Sequence, residues 1–227
     1  MNSNKSDLTL LAQKSTFEYE QIQTSENLKE KGQVFTPVLI AKYMANQFDL
    51  SYSHFNILDP GAGTGILTAA ICNRIARECN EKKIINITAY EDDKAVLHFL
   101  NQNLEDIKDR IEEIGHELNF QIINKNFIYD NYLMLDSKDL FNSIPKRFNI
   151  IISNPPYYKV SKSDRLSQLM AEIVHGQPNI YMFFLAISSK LLSNNGQMVF
   201  ITPRSFCSGL YFKKFRKWLL NTVNLSS

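Results

Sequence analysis

Short apolar segments alternate with segments of helical periodicity along most of this chain. The apolar segments predict strands at 55–59, 84–91, 118–127, 148–153 and 196–203. Apolar residues spaced three and four apart predict helices at 37–48, 65–82, 93–107, 180–192 and 209–223. Strands that are apolar throughout and alternate with helices indicate an α/β fold, in which a doubly wound, mostly parallel sheet carries helices on both faces.

The residues that follow the strands are the first candidates for function. Ligands of doubly wound folds bind outside the carboxyl ends of the strands, where the strand order reverses. A strand order of 3-2-1-4-5 makes the strand that ends at Asp59 and the strand that leads to Asn154 neighbours at this reversal. We therefore expect the residues after these two strands to face one crevice.

Length and composition limit the class of protein. The 227 residues fit one domain, in which 32–227 form the main unit and the polar residues 1–31 a loosely attached N-terminal arm or leading helix. A net charge of +2 does not by itself indicate a nucleic-acid-binding protein. Cys72, Cys79 and Cys207 lack paired spacing, so neither a disulfide nor a metal site is expected. No segment resembles a signal peptide or a membrane span, which favours a cytoplasmic protein without a membrane partner.

A glycine-rich segment, LDPGAGTG at 58–65, joins the first strand to a helix. Gly61, Gly63 and Gly65 allow a sharp turn and a close approach of the backbone to a ligand. Their GxGxG spacing differs from the GxGxxG of dinucleotide-binding folds, and Asp59 precedes them. A carboxylate at this position suits a ligand with an ammonium or hydroxyl groups better than a pyrophosphate. The alternative is an ordinary turn between a strand and a helix.

Polar residues also follow the next two strands. Glu91 lies about 30 residues beyond the glycines, where a carboxylate can accept both hydroxyls of a ribose. The alternative for Glu91 is an acidic residue at a helix N-terminus. Asn126 and Phe127 offer an amide and a ring to a purine such as adenine. Their alternative is a turn asparagine beside a core phenylalanine.

The fourth strand ends in Ser153-Asn154-Pro155-Pro156-Tyr157. Asn154 offers an acceptor oxygen, and each proline removes a backbone donor and stiffens the chain. Rigid acceptors beside an aromatic ring suit a planar amino group, such as a base amine or a carboxamide. The alternative is a turn in which two prolines end a strand.

Together these motifs resemble the N6-adenine DNA methyltransferases of restriction–modification systems. The motif order is that of the gamma group, because the segment GQVFTPVLIAKYM at 32–44 precedes LDPGAGTG, the strand end at Glu91 and SNPPY. The segment 177–206, with TPRSF at its end, is similar to type IIG and related enzymes. The resemblance implies a Rossmann-like methyltransferase fold, with S-adenosyl-L-methionine as the cofactor and adenine in DNA as the substrate.

The resemblance also implies roles for the matching residues. Thr36 would help to hold the methionine end of the cofactor, Glu91 the ribose hydroxyls, and Asp92 would lie near the adenine. The full cofactor set is Thr36, Asp59, Pro60, Gly61, Gly63, Gly65, Glu91, Asp92, Asn126 and Phe127. Many relatives have aspartate where this chain has Asn126.

The catalytic set implied by the resemblance is Asn154, Pro155, Pro156 and Tyr157. The side-chain oxygen of Asn154 and the carbonyl of Pro155 would accept the two hydrogens of the target amine, which localises its lone pair. Tyr157 would stack on a base extruded from the duplex.

Partners follow from the same resemblance. Lys159, Lys162 and Arg165, in the loop after the motif, and Arg204 are candidate contacts to double-stranded DNA, and a mobile solvated loop is the alternative. The basic helix around 213–217 is interpreted as a solvated face on a packed helix, and contacts to phosphates are the alternative. We expect the chain to lack a C-terminal strand hairpin and a target-recognition domain, and a nuclease is a candidate partner. Alternative functions are methylation of rRNA or of a protein glutamine amide, or an inactive cofactor- or DNA-binding subunit that needs a partner.

Overall fold

A five-stranded parallel sheet forms the centre of the molecule. The computed structural model describes residues 7–23, 34–135, 147–161, 163–171, 173–174 and 178–225. The strands are β1 (His54–Pro60), β2 (Ile84–Tyr90), β3 (Glu117–Ile123), β4 (Phe148–Ser153) and β5 (Leu192–Phe200). Their order in the sheet is β3-β2-β1-β4-β5, and all neighbours are parallel. The predicted α/β fold and the predicted strand order are both confirmed.

Helices cover both faces of the sheet. They are α1 (Leu8–Ile22), α2 (Val38–Ala45), α3 (Ile66–Glu78), α4 (Leu97–Glu113), α5 (Phe127–Asn131), α6 (Arg165–Leu169), α7 (Ile180–Leu191), α8 (Ser205–Ser208) and α9 (Lys213–Thr222). One core lies under α1 to α4, and a second lies under α5, α6, α7 and α9. Ile57 belongs to the first core and Leu58 to the second, so β1 is buried on both sides, as its apolar sequence requires. None of the helices in the described part of the chain is both long and apolar enough to cross a membrane.

Several local predictions are wrong, including the bounds of β5, predicted at 196–203, and of α4, predicted at 93–107. Helix α2 spans Val38–Ala45 rather than 37–48, and Pro37 is its N-cap rather than its first residue. Strand β3 ends at Ile123 rather than at 127, because Asn126 caps the short helix α5 and turns the chain there. Helix α1 is not loosely attached, since Leu8 and Ala12 are buried in the first core.

A row of asparagine side chains crosses the sheet near the amino ends of the strands. Asn56, Asn86 and Asn119 occupy the same register on β1, β2 and β3. The amide of Asn86 donates to Asn56 at 3.0 Å, and Asn119 lies within 3.5 Å of Asn86. On the other side, Asn149 of β4 accepts from the backbone of Asn56 at 2.7 Å and donates to the carbonyl of His54. Side chains therefore link four strands at the end of the sheet opposite to the glycine-rich loop.

Candidate cofactor and catalytic site

A cavity of about 410 Å³ opens at the carboxyl ends of β1, β2 and β4. The predicted site residues that line it are Thr36, Gly61, Gly63, Glu91, Asp92, Asn126, Phe127, Asn154 and Pro156. They come from distant parts of the sequence and meet because the carboxyl ends of parallel strands share one edge of the sheet. The fold thus brings most of the predicted cofactor and catalytic residues around one space.

The glycine-rich loop needs glycine because of its backbone conformation. Gly61, Gly63 and Gly65 all have positive φ angles, between 56° and 86°, in the left-handed region. A β-carbon on Gly63 would also lie 3.2 Å from the ring of Phe35. The loop is fixed to β2, since the amides of Gly61 and Ala62 both donate to the carbonyl of Tyr90 at 2.9 and 2.8 Å.

Glu91 presents a buried carboxylate to the cavity. Its Oε2 accepts from the amide of Gly63, and its Oε1 accepts from the amide of Asp93, each at 2.8 Å. Only 6% of the residue is exposed, and this burial raises the pKa of Glu91 to about 7 against the lowering effect of the two amides. Each oxygen keeps a second lone pair, so the carboxylate can still accept from a diol.

Asp59 does not line the cavity, contrary to the expectation from sequence. Its Oδ2 accepts from the hydroxyl of Thr68 on α3 at 2.7 Å, and its Oδ1 has no hydrogen-bond partner among the described residues. The residue is fully buried, which raises the pKa of Asp59 to about 7. The position of Asp59 before the turn directs its side chain towards α3 rather than into the open space.

Pro60, Gly65, Pro155 and Tyr157 are likewise absent from the cavity lining. The carbonyl of Pro60 accepts from the hydroxyl of Ser153 at 2.8 Å, which ties the end of β1 to the end of β4. Gly65 is the N-cap of α3. These residues lie in or next to the turns that border the cavity, and Pro155 directly follows Asn154, which is part of the lining.

Asn126 contributes a hydrogen-bond donor at the far side of the cavity. Its Oδ1 accepts from the amides of Ile128 and Tyr129 at 3.1 and 3.2 Å, so the oxygen caps α5. Its Nδ2 donates to Oδ2 of Asp92 at 2.8 Å. The ring of Phe127 is buried beside Asn126, with its centroid 5.2 and 5.3 Å from those of Tyr90 and Phe184.

The carboxamide of Asn154 is held in one orientation. Its Nδ2 donates to the carbonyl of Val34 at 2.9 Å and to the hydroxyl of Thr36 at 3.1 Å. A backbone carbonyl can only accept, so the nitrogen must face Val34 and the oxygen must face the other way. Oδ1 accepts from the hydroxyl of Tyr157 at 2.7 Å and keeps a second lone pair.

Sequence reasoning missed several residues of the lining. Tyr158, the neighbour of the predicted Tyr157, lines the cavity, and so do Tyr90, Asp93 and Phe184. Tyr157 instead lies between Asn154 and the carbonyl of Ile201, at 3.0 Å from the latter. Tyr158 could have been found from the sequence, because it directly follows the SNPPY motif. Phe184 could not, because it lies on a helix that is apolar on every side.

The basic residues behave differently from one another. Lys159, Arg165 and Arg204 are all exposed, and Arg165 also lies over the ring of Tyr132 at 5.5 Å from its centroid. Lys162 lies outside the described residues.

The basic helix α9 is not only a solvated face. Arg216 donates to the carbonyls of Phe206 and Gly209, and Lys214 donates to the carbonyl of Ala171. Two of its cations thus fix the loops that follow β4 and β5.

Comparison with known proteins places this geometry in a family. Residues 73–227 match the Eco57I restriction-modification methylase family. The chain is 36% identical over 202 residues to the type II methyltransferase M.BsuBI of Bacillus subtilis and 36% identical over 204 residues to M.PstI of Providencia stuartii. Each alignment covers 88% of this chain and 39% of the relative, so the chain spans about two-fifths of the length of these relatives.

The fold has a counterpart among solved structures. A protein from Listeria monocytogenes, described as a class I S-adenosylmethionine-dependent methyltransferase, superposes with a TM-score of 0.62 at 13% identity. The superposition covers 96% of this chain and 61% of that chain. The chain belongs to the Eco57I restriction-modification methylase family.

Proposed function

We propose that this chain is the catalytic unit of a DNA methyltransferase, which transfers a methyl group from S-adenosylmethionine to the N6 amine of adenine. The observation that carries the proposal is the fixed carboxamide of Asn154 at the edge of the cavity. The relatives M.BsuBI and M.PstI, which are type II methyltransferases, support a DNA substrate. The SNPPY motif supports an amine on a planar ring as the acceptor.

The residues of the cavity fit the parts of the cofactor. Glu91 accepts hydrogen bonds from the ribose hydroxyls through the second lone pairs of its oxygens. Phe127 and Leu67 provide apolar surface for the adenine ring, and Asp92 accepts from the adenine amine. Thr36 and the glycine-rich loop border the space left for the methionine end.

The acceptors at the motif activate a weak nucleophile. The lone pair of an adenine amine is delocalised into its ring, so the amine needs hydrogen-bond acceptors that favour tetrahedral geometry at the nitrogen. Oδ1 of Asn154 and the carbonyl of Pro155 accept its two hydrogens. The remaining contribution to the rate of methyl transfer is positioning, because the nitrogen must lie in line with the bond between the methyl carbon and sulfur. The nitrogen–carbon bond forms as the carbon–sulfur bond breaks, and the amine then loses one proton to solvent.

The target adenine must leave the duplex, because its amine is paired inside the double helix. The exposed ring of Tyr158 at the mouth of the cavity and the ring of Tyr157 behind it are the candidates to stack on the extruded base. Lys159, Lys162, Arg165 and Arg204 are the proposed contacts to DNA phosphates. A target-recognition domain is proposed to act with this unit, because the aligned region is 39% of each relative. A nuclease is proposed as a partner because the family is one of restriction-modification methylases.

Replacement of Asn154 tests the proposal. We expect Asn154→Ala to lower the rate of methyl transfer by about a hundredfold or more, because an acceptor aimed at developing charge is lost. Binding of S-adenosylhomocysteine should stay within a fewfold of the unchanged protein. The measurement is transfer of labelled methyl to DNA, followed by identification of the modified nucleoside. Asn119→Ala, at the opposite end of the sheet, is the matched control and should retain full activity.

The same assay separates the alternative substrates. RNA and protein are offered beside DNA, and label in N6-methyladenine of DNA is the expected result. Label in RNA or in a glutamine amide, or transfer at an unchanged rate by Asn154→Ala, would reject the proposal.

A further inference from the structure

The N-terminal helix α1 is joined to the glycine-rich loop by polar side chains. The hydroxyls of Thr16 and Thr64 lie 2.5 Å apart, and both residues are buried. Asn103 of α4 donates to the carbonyl of Thr64 at 2.7 Å and accepts from Ser15 at 2.9 Å. The loop that carries Gly63 is therefore held from behind by α1 and α4 together.

The same helix reaches the other wall of the cavity through Tyr19. This side chain is fully buried, and its hydroxyl donates to Oδ2 of Asp93 at 2.6 Å. The amide of Asp93 donates in turn to Oε1 of Glu91. The ring of Tyr19 packs edge-on against Phe35, with 5.5 Å between centroids, so it also supports the segment that contains Thr36.

We infer that Tyr19 and Thr16 are positioning residues of the cofactor site. Neither residue is part of the lining of the cavity beside Glu91. Each instead holds a segment whose backbone amide, that of Asp93 or that of Gly63, donates to the Glu91 carboxylate. The inference rests on the proposed role of Glu91 in binding the ribose.

The packing of α1 does not depend on these two hydroxyls. The start of the helix is fixed by Asp7, which accepts from Thr9 and Asn73 and pairs with Lys42. Leu8 and Ala12 are buried in the first core. A variant that loses one hydroxyl near the C-terminal end of α1 should therefore keep the helix in place and change only the position of the segments that line the cavity.

Conservative variants test the inference in the full chain. We expect Tyr19→Phe and Thr16→Val each to weaken binding of S-adenosylhomocysteine, measured by calorimetry, by about fivefold to twentyfold. Thr16→Ser keeps the hydroxyl and should bind as tightly as the unchanged protein. Tyr43→Phe, at an exposed tyrosine of α2, is the matched control for Tyr19 and should have no effect.

A second set of readouts separates positioning from stability. Positioning predicts a higher KM for S-adenosylmethionine with an unchanged KM for DNA, at temperatures well below the melting point of every variant. Unchanged cofactor affinity in Tyr19→Phe and Thr16→Val, or a lower melting temperature as their only effect, would overturn the inference. Glu91→Gln is measured in parallel. If this variant binds as tightly as the unchanged protein, the proposed role of Glu91 fails, whatever the Tyr19 result.

Discussion

With the proposed role of Glu91 in binding the ribose, its buried carboxylate should make cofactor binding sensitive to pH. Its pKa is raised to about 7 by burial, so the group is partly protonated near neutrality. A protonated carboxyl loses acceptor capacity for the ribose hydroxyls. We expect S-adenosylhomocysteine to bind about tenfold more weakly at pH 6 than at pH 8, as measured by calorimetry across this range.

The control for this prediction is Glu91→Gln, which cannot ionise. This variant should bind weakly and with little dependence on pH. A flat profile for the unchanged protein between pH 6 and pH 8 would show that Glu91 does not have to be ionised for binding.

The second residue with a testable consequence is Asn126, whose side chain links Asp92 to the start of α5. Here its Nδ2 donates to Asp92, and its Oδ1 caps α5. Asn126→Asp keeps the cap but places two carboxylates together. We expect it to weaken binding of S-adenosylhomocysteine about tenfold at pH 8, and less at lower pH. Asn126→Ser keeps a cap without the added charge and should weaken binding less. Equal or tighter binding by Asn126→Asp would indicate direct contact of residue 126 with the cofactor.

The sequence predicted which residues would gather, but not where each side chain would point. Strand ends that share an edge explain why Glu91, Asn126 and Asn154 meet. The turns after the strands decide where each side chain points. Asp59 faces Thr68, and the hydroxyl of Tyr157 donates to Asn154. Such directions depend on backbone angles that no residue pattern specifies.

At the scale of elements, strands and long helices were predictable because their apolar periodicity is strong. The attachment of helix α1 to the core was not predicted, because its buried residues include Thr9, Thr16 and Tyr19, which do not form an apolar stripe in the sequence. For helix α9, the predicted solvated face on a packed helix is present, since Lys213 and Lys217 are exposed while Phe215 and Leu219 are buried, but its contacts to neighbouring carbonyls were not predicted. Its lysines and arginines look solvated in sequence, yet Arg216 donates to loop carbonyls that become available only once the chain has folded.

For the whole molecule, the two buried carboxyl groups make the free energy of unfolding smaller at high pH than at low pH. The pKa values of Asp59 and Glu91 are raised above those of the unfolded chain, so their contribution is present at low pH and is lost as pH rises through about 7. Without cofactor, we expect the free energy of unfolding to rise by about 1 kcal/mol from Glu91 alone between pH 8 and pH 6. Urea denaturation at both values measures this change.

His116 has the opposite effect on stability, because burial lowers its pKa and acidification therefore favours the unfolded chain, in which the imidazole is protonated more readily. Comparison with Glu91→Gln removes this contribution, since His116 is present in both proteins. The variant should show a smaller gain on acidification. An equal change in the two proteins would mean that Glu91 does not titrate in this range.

The asparagine row bears on how the chain avoids misassembly. Strands β1, β2 and β4 are apolar on both faces, so a neighbour displaced along them would still bury apolar side chains. A displaced β2 would separate Asn86 from Asn56 and leave amides without partners. The correct alignment is thereby favoured at the end of the sheet opposite to the cavity. Residues around the cavity can therefore change during evolution without loss of the asparagine contacts that align the strands.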